Sequence, residues 1–302
     1  MDMNRQLARQ LKILCKEFAE WGIDETSVEM FHDDPPQVFQ AYLNGENKVR
    51  RLGSRADKLL TWHFNQYANA VLNEGRYPLD ELALCAHYAR AATGFEAAFA
   101  DAGQGGSLLL NQAVFNFSLN ILAGWRTEAG KVGHLLYKGL DTTLLDLRHT
   151  GRHRKGECYR HFWFLMHLYC DIAKQPLNTS LYSYPEDMSP YQAVLADWRT
   201  PDLGKIHNFV IAMADFHVQE ASSPEEITEL NDPDYILFPH EILTFLRLRE
   251  WAGLPNPETF DHPLMLQPLA RLPAPVPLAQ PDTPLLDKVI TKFKQEYPDS
   301  FA

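Results

Sequence analysis

The sequence predicts an all-α protein, a multi-helix bundle of antiparallel helices, and three observations carry that prediction. Apolar residues recur at three- and four-residue steps along most of the chain, as in Leu7, Leu11, Leu14 and Phe18. Five polar residues stand directly before a proline where a helical pattern begins: Asp34-Pro35, Ser189-Pro190, Thr200-Pro201, Ser223-Pro224 and Thr283-Pro284. Each pair offers a side-chain oxygen for the first free N–H groups, then a residue whose missing N–H costs nothing there. No run alternates apolar and polar residues as a half-buried strand would.

Taken in order, the first helix carries Arg5, Arg9, Lys12, Lys16 and Glu20 between its leucines and stops at Gly22. Asp34-Pro35 opens the next. A long helix is expected over about Arg55–Asn73, ended by Gly75, and another over Pro78–Ala100 with Asp80 and Glu81 in its first turn. The glycine-rich turn 103–107 leads to helices over Leu108–Trp125 and Thr127–Leu147, where small residues suggest close helix contacts. A helix over Glu157–Ala173 is apolar on most sides, so it belongs at the centre. Loop 178–185 is extended at LYSY. The stripe Leu203, Ile206, Val210, Met213, His217 marks another helix. One more follows Pro239, with Ile242, Leu243 and Leu246 inward and Arg247, Arg249 and Glu250 mostly outward, ending at Gly253.

Two capping boxes are expected, Ser189 with Gln192 and Ser223 with Glu226. Residues 1–267 are expected to form the helical body, as one unit or as lobes 1–150 and 156–267 meeting at the basic island 148–155. Prolines at 268, 273, 275, 277, 281 and 284 make residues 268–284 a semi-rigid strap. Residues 285–302 supply a last amphipathic helix.

Composition narrows function mostly by exclusion. At 302 residues, 45% hydrophobic and 12% aromatic, the chain is long and apolar enough to bury a large core. A formal net charge of −11 argues against direct nucleic-acid binding and against an anionic membrane as partner. It favours a basic protein instead. No apolar window reaches the length of a membrane span, and the first residues lack the pattern of a secretory signal. Four cysteines, Cys15, Cys85, Cys158 and Cys170, show no C-x-x-C spacing and fit buried thiols of a cytoplasmic protein.

The twelve histidines invite a search for metal ligands. Cys158, His161, His167 and Cys170 have the look of a zinc pattern, yet on one helix their ends stand about 18 Å apart at ~1.5 Å per residue. Bonds of about 2.0–2.3 Å cannot bridge that distance. His240-Glu241 begins an H-E-x-x-H pattern that fails at Thr244. Asp215, His217, His240, Glu241 and His262 remain as an alternative constellation for a metal-assisted hydrolase. The loop 103–107 lacks the lysine of a phosphate-binding loop, and no serine or cysteine sits in a nucleophile motif. No catalytic residue, metal ligand or cofactor is assigned.

The strongest functional signal is residues 206–246, which carry eight acidic residues and no lysine or arginine. Within them Glu225, Glu226, Glu229, Asp232 and Asp234 are expected to form an acidic partner-binding rim. Tyr235 and Phe238 are the candidate apolar anchors beside it.

The block from SPYQAVLADWRTPD through LFPHEILTFLRLREWAGL to DHPLM, within residues 188–266, resembles helical immunity proteins that bacteria encode beside secreted polymorphic toxins, including type VI effectors. The resemblance implies a cytoplasmic, non-enzymatic protein that binds and neutralises one cognate toxin. Many such toxins are basic nucleases, which an acidic face would suit. A secretion adaptor or chaperone is the remaining alternative.

Overall fold

Among the residues that the computed structural model describes (3–21, 23–46, 51–148, 159–221, 228–298 and 300–301), helices are the only repeating secondary structure. A lone antiparallel bridge, Arg148 to Tyr182, is the sole β-type pairing among them. It falls where LYSY was expected to be extended. The all-α prediction holds.

Helix α1 (Met3–Trp21) buries Leu7, Leu14 and Phe18 against α4 (Leu52–Glu74). Between them the chain makes one continuous helical run: α2 (Glu25–Ser27), a π-helical turn (Val28–Asp33) and α3 (Asp34–Leu43). Asp24 starts this run by accepting the Ser27 N–H at 2.9 Å. The expected start at Asp34 is therefore corrected, because Asp34 is itself helical at φ −66 and ψ −41. The wide turn ahead of Pro35 and Pro36 is where a chain short of two N–H donors departs from the regular ladder.

Gly75, at φ +67, ends α4 and turns the chain into α5 (Leu79–Asp101), which packs along it. Helix α6 (Leu110–Leu122) is buried all round except at Asn111 and Gln112. Helix α7 (Arg126–Gly139) stops eight residues before the expected Leu147, giving way to turns through Leu145. Helix α8 (Arg160–Ala173) is central as predicted, with Phe162, Trp163, Phe164 and Leu165 buried.

Two further starts shift slightly from expectation, while the last helix begins at Pro284 after Thr283 as expected. Helix α9 (Tyr191–Asp197) begins after Pro190, so Ser189 does not cap it and the box with Gln192 does not form. Asp202, not Thr200, caps α10 (Leu203–Glu220), accepting the Lys205 N–H at 3.1 Å. Ser223-Pro224 and its capping box lie outside the described residues.

Helix α11 (His240–Trp251) departs furthest from its predicted face. Arg247 and Arg249, expected to point mostly outward, are fully buried. Carbonyl oxygens take most of their guanidinium N–H groups, and the Glu250 carboxylate pairs with Arg247. Arg247 donates to Pro273 and Ala274 of the strap, while Arg249 donates to Trp198, Thr200 and Pro255 and to the Asn256 side chain at 3.0 Å. Two buried cations thus tie three loops to one helix.

One hydrophobic cluster runs from Leu7 to Leu269, so residues of both expected lobes pack as a single core. The presumed seam at 149–155 lies outside the described residues. The strap crosses this core, with the Leu278 N–H on Ala123 O at 2.9 Å and the Trp125 indole on Leu278 O at 2.8 Å. Helix α12 (Pro284–Glu296) then completes a second cluster, packing Leu286, Val289 and Phe293 against Phe39, Phe95 and Phe99. No helix among the described residues is long and apolar enough to cross a membrane.

Candidate functional site

The loop between α10 and α11 carries most of the predicted site, and it holds two kinds of carboxylate. Glu225 and Glu226 lie outside the described residues. Glu229 is buried and accepts Arg160 Nε at 2.8 Å, the His161 N–H at 2.9 Å and His161 Nδ1 at 2.8 Å. Burial opposes its charge, but these donors overcome that and hold its pKa below the ordinary value. Arg160 and His161 open α8, so Glu229 neutralises a helix N-terminus from a distant loop. Its place is structural.

Asp232 and Asp234 behave differently. Asp232 turns the loop, its side chain accepting the Asp234 N–H at 3.1 Å and its carbonyl accepting the Tyr235 N–H at 2.8 Å. Asp57 of α4 is within electrostatic reach of Asp232 and Asp234, and Glu96 of α5 is within reach of Asp57. Burial raises the pKa of all four, and like charges add to it: Asp232 and Asp57 on Asp234, Asp232 on Asp57, Asp57 on Glu96. Glu96 is pushed up to about 7, even though it accepts the Ser107 N–H at 3.1 Å. None of the four forms an ion pair among the described residues.

The surroundings of Glu96 are built to hold it there. A Cβ on Gly53 would meet its carboxylate at 2.1 Å, and one on Gly106 would meet its backbone oxygen at 1.9 Å. The glycine turn after α5, read from sequence as a plain connector, therefore closes over an acid. Asp57 and Glu96 were not among the sequence candidates. Each is a single acid on an otherwise helical pattern, and only the fold brings them to Asp234.

Tyr235 and Phe238 are core residues, which corrects their expected role as exposed anchors. Their rings sit 4.9 Å from Phe115 and 5.3 Å from Phe64, and both are buried. Ile236 and Leu237 beside them already marked this as an apolar segment, and the core took it whole.

The alternative constellation does not assemble into one centre. His217 Nδ1 faces Glu241 Oε1 at 2.8 Å, and its Nε2 faces the carbonyls of Tyr235 and Ile236 at 3.1 and 3.3 Å. Both ring nitrogens meet acceptors, the pattern of an imidazolium. Burial works against that charge, but Glu241 and the carbonyls raise the His217 pKa. Burial likewise opposes the charge on Glu241, and His217 overrides it to bring the carboxyl down to about 2.

His240 is the opposite case, with burial depressing its pKa to about 3. Ser118 Oγ donates to Val114 O at 2.8 Å, leaving its lone pairs to accept from His240 Nδ1 at 3.1 Å. His262 accepts the Leu264 N–H on Nδ1 at 3.1 Å, so Nε2 carries the proton it directs at Asp215, 3.3 Å away. Among the described residues no group of three His, Cys, Asp or Glu side chains could hold a metal ion.

No protein family, curated protein or solved structure matches the chain.

Proposed function

We propose that this chain is an immunity protein that binds and neutralises a cognate secreted bacterial toxin, a basic nuclease, in the cytoplasm. The observation that carries the reading is the carboxylate cluster Asp57, Glu96, Asp232 and Asp234. Acids that raise one another's pKa, with no ion pair among the described residues, raise the energy of the isolated fold. A lysine or arginine supplied by a partner would convert that repulsion into attraction, so the cost already present in the free protein becomes affinity on binding.

The net charge of −11 extends the same attraction outward. A nuclease needs a basic surface to hold its substrate phosphates, and an acidic protein can occupy that surface in their place. In this reading Glu225 and Glu226, with Asp232 and Asp234, supply the steering charge. Neither an enzymatic step nor a cofactor is required.

The test begins with a toxin-like reading frame encoded beside this one. Its product should be toxic when expressed alone, form a one-to-one complex with this chain, and lose nuclease activity in that complex. The double variant Asp57→Asn, Asp234→Asn should associate about tenfold more slowly at low salt, with the difference shrinking at high salt. It should also melt higher than wild type, because it removes like charges. A neighbour that is neither bound nor inhibited, or a double variant that associates at the wild-type rate, would sink this reading.

A further inference from the structure

Helices α6, α7, α8 and α11, with the turn after α9, enclose a groove of about 440 Å³. Its floor and walls are apolar and aromatic: Phe117, Ile121, Tyr169, Leu248, Trp198 and Trp251. That size falls within the roughly 300–1,000 Å³ usual for small-molecule sites. The polar groups are unusual for this chain. Two arginines, Arg126 and Arg199, line the groove and no carboxylate does, although acids outnumber basic residues 39 to 28 overall.

The two guanidiniums are not equivalent. Arg199 lies 4.0 Å over the Trp198 ring and is ion-paired with Asp171, so its charge is already answered. Arg126 opens α7, and its guanidinium stands 5.2 Å over the Trp251 ring with no hydrogen bond or ion pair to any described residue. It is exposed, stacked and free to bind an anion.

A second observation concerns glycine. At Gly133 a Cβ would fall 2.4 Å from the Tyr169 ring, so packing demands glycine there. Gly130, one turn earlier and on the groove wall, has nothing within 4 Å of that position. Glycine weakens a helix interior relative to alanine, and packing gives no reason for it here. What it does is keep the groove clear.

We infer that this groove binds a free carboxylic acid with an apolar body, of medium acyl length. The carboxylate meets the forked donors of Arg126, and the acyl chain lies against Phe117, Ile121 and Leu248 beneath the position that Gly130 leaves open. This inference is independent of the acidic face, which draws on α4, α5 and the loop before α11.

The full-length chain is titrated with decanoate, decan-1-ol and decyltrimethylammonium, followed by calorimetry and by tryptophan fluorescence, since Trp198 and Trp251 line the groove. Decanoate should bind one to one, with the alcohol and the ammonium ion at least about tenfold weaker. Arg126→Gln should weaken decanoate by about tenfold. Gly130→Leu should abolish it by filling the groove, with both variants melting as wild type does. If Gly130→Leu does not melt cooperatively, Gly130→Ala takes its place and should weaken binding in part. Equal binding of the ammonium ion, no binding of decanoate, or unchanged binding in the position 130 variant would overturn the proposal.

Discussion

Two groups of buried or half-buried acids sit within one core, and their protonation runs in opposite directions. Glu229 and Glu241 are buried beside cations, Arg160 for the first and His217 for the second, with His161 donating to Glu229 as well, and both carboxyls are held below their ordinary pKa. Asp57, Glu96, Asp232 and Asp234 form no ion pair among the described residues, and all four are raised. Burial alone thus does not tell a stabilising acid from a destabilising one. The partner does. An acid whose cation is inside the fold is holding the fold, whereas an acid without one is held at a cost that a ligand can recover.

The comparison breaks most sharply at Glu241. Glu241→Gln removes one partner of a fully buried ion pair and leaves the His217 ring facing three acceptors without a counter-charge, so about 3–5 kcal/mol of stability should be lost. The loss should depend on pH in a defined way. His217 has a raised folded pKa, so its contribution is complete below about 6.5 and fades as pH rises through the folded value. Glu241 has a depressed one, so its contribution is complete above about 4.3 and fades as pH falls toward 2. Urea unfolding of wild type and variant should therefore show the widest gap between those limits. A gap that stays constant from pH 5 to 10 would mean that His217 is not charged in the fold.

The opposite sign is expected at Glu96. Its folded pKa of about 7 exceeds the ordinary glutamate value, so the native state holds its proton more tightly and wild-type stability rises as pH falls from 8 toward 4.5. Glu96→Gln should stabilise the protein by about 1–3 kcal/mol at pH 8, with no gain near pH 4.5. Unfolding curves at the two values decide it. A variant less stable than wild type at pH 8 would place an unseen cation beside Glu96 and remove the basis for the acidic docking face.

Much of the architecture was legible because helical periodicity and helix ends are local. Leu7, Leu14 and Phe18 declare a buried face in about three turns of sequence, and Gly75 declares a stop at a single residue. What was not legible depends on residues far apart in the chain. Arg247 and Arg249 read as solvent-facing because charged residues usually are, and it takes the carbonyls of residues 198–200, 255 and 273–274, with Glu250 and Asn256, to make their burial tolerable. The site failed for the same reason. The acids at 229, 232 and 234 are neighbours in sequence, but Arg160 claims one and Asp57 joins the other two, and nothing local separates those fates.

Asp215 and His262 test the rule at its weak end, where geometry resembles an ion pair and energy does not. Their atoms are 3.3 Å apart, close to the 2.8 Å of His217 and Glu241, yet the Asp215 side chain is 60% exposed while His262 is 2% exposed. Burial lowers the His262 pKa despite the pull of Asp215, and the Leu264 N–H occupies the lone pair on Nδ1 that a second proton would need. His262 is then neutral at pH 7, and Asp215 only accepts a hydrogen bond that water can replace. Asp215→Asn should cost less than about 1 kcal/mol, with no change between pH 7 and 8. The amide oxygen keeps the same acceptor, so the melting temperature should scarcely move. A loss near that of Glu241→Gln would show that His262 is charged, and burial beside an exposed acid would then be enough to hold an ion pair.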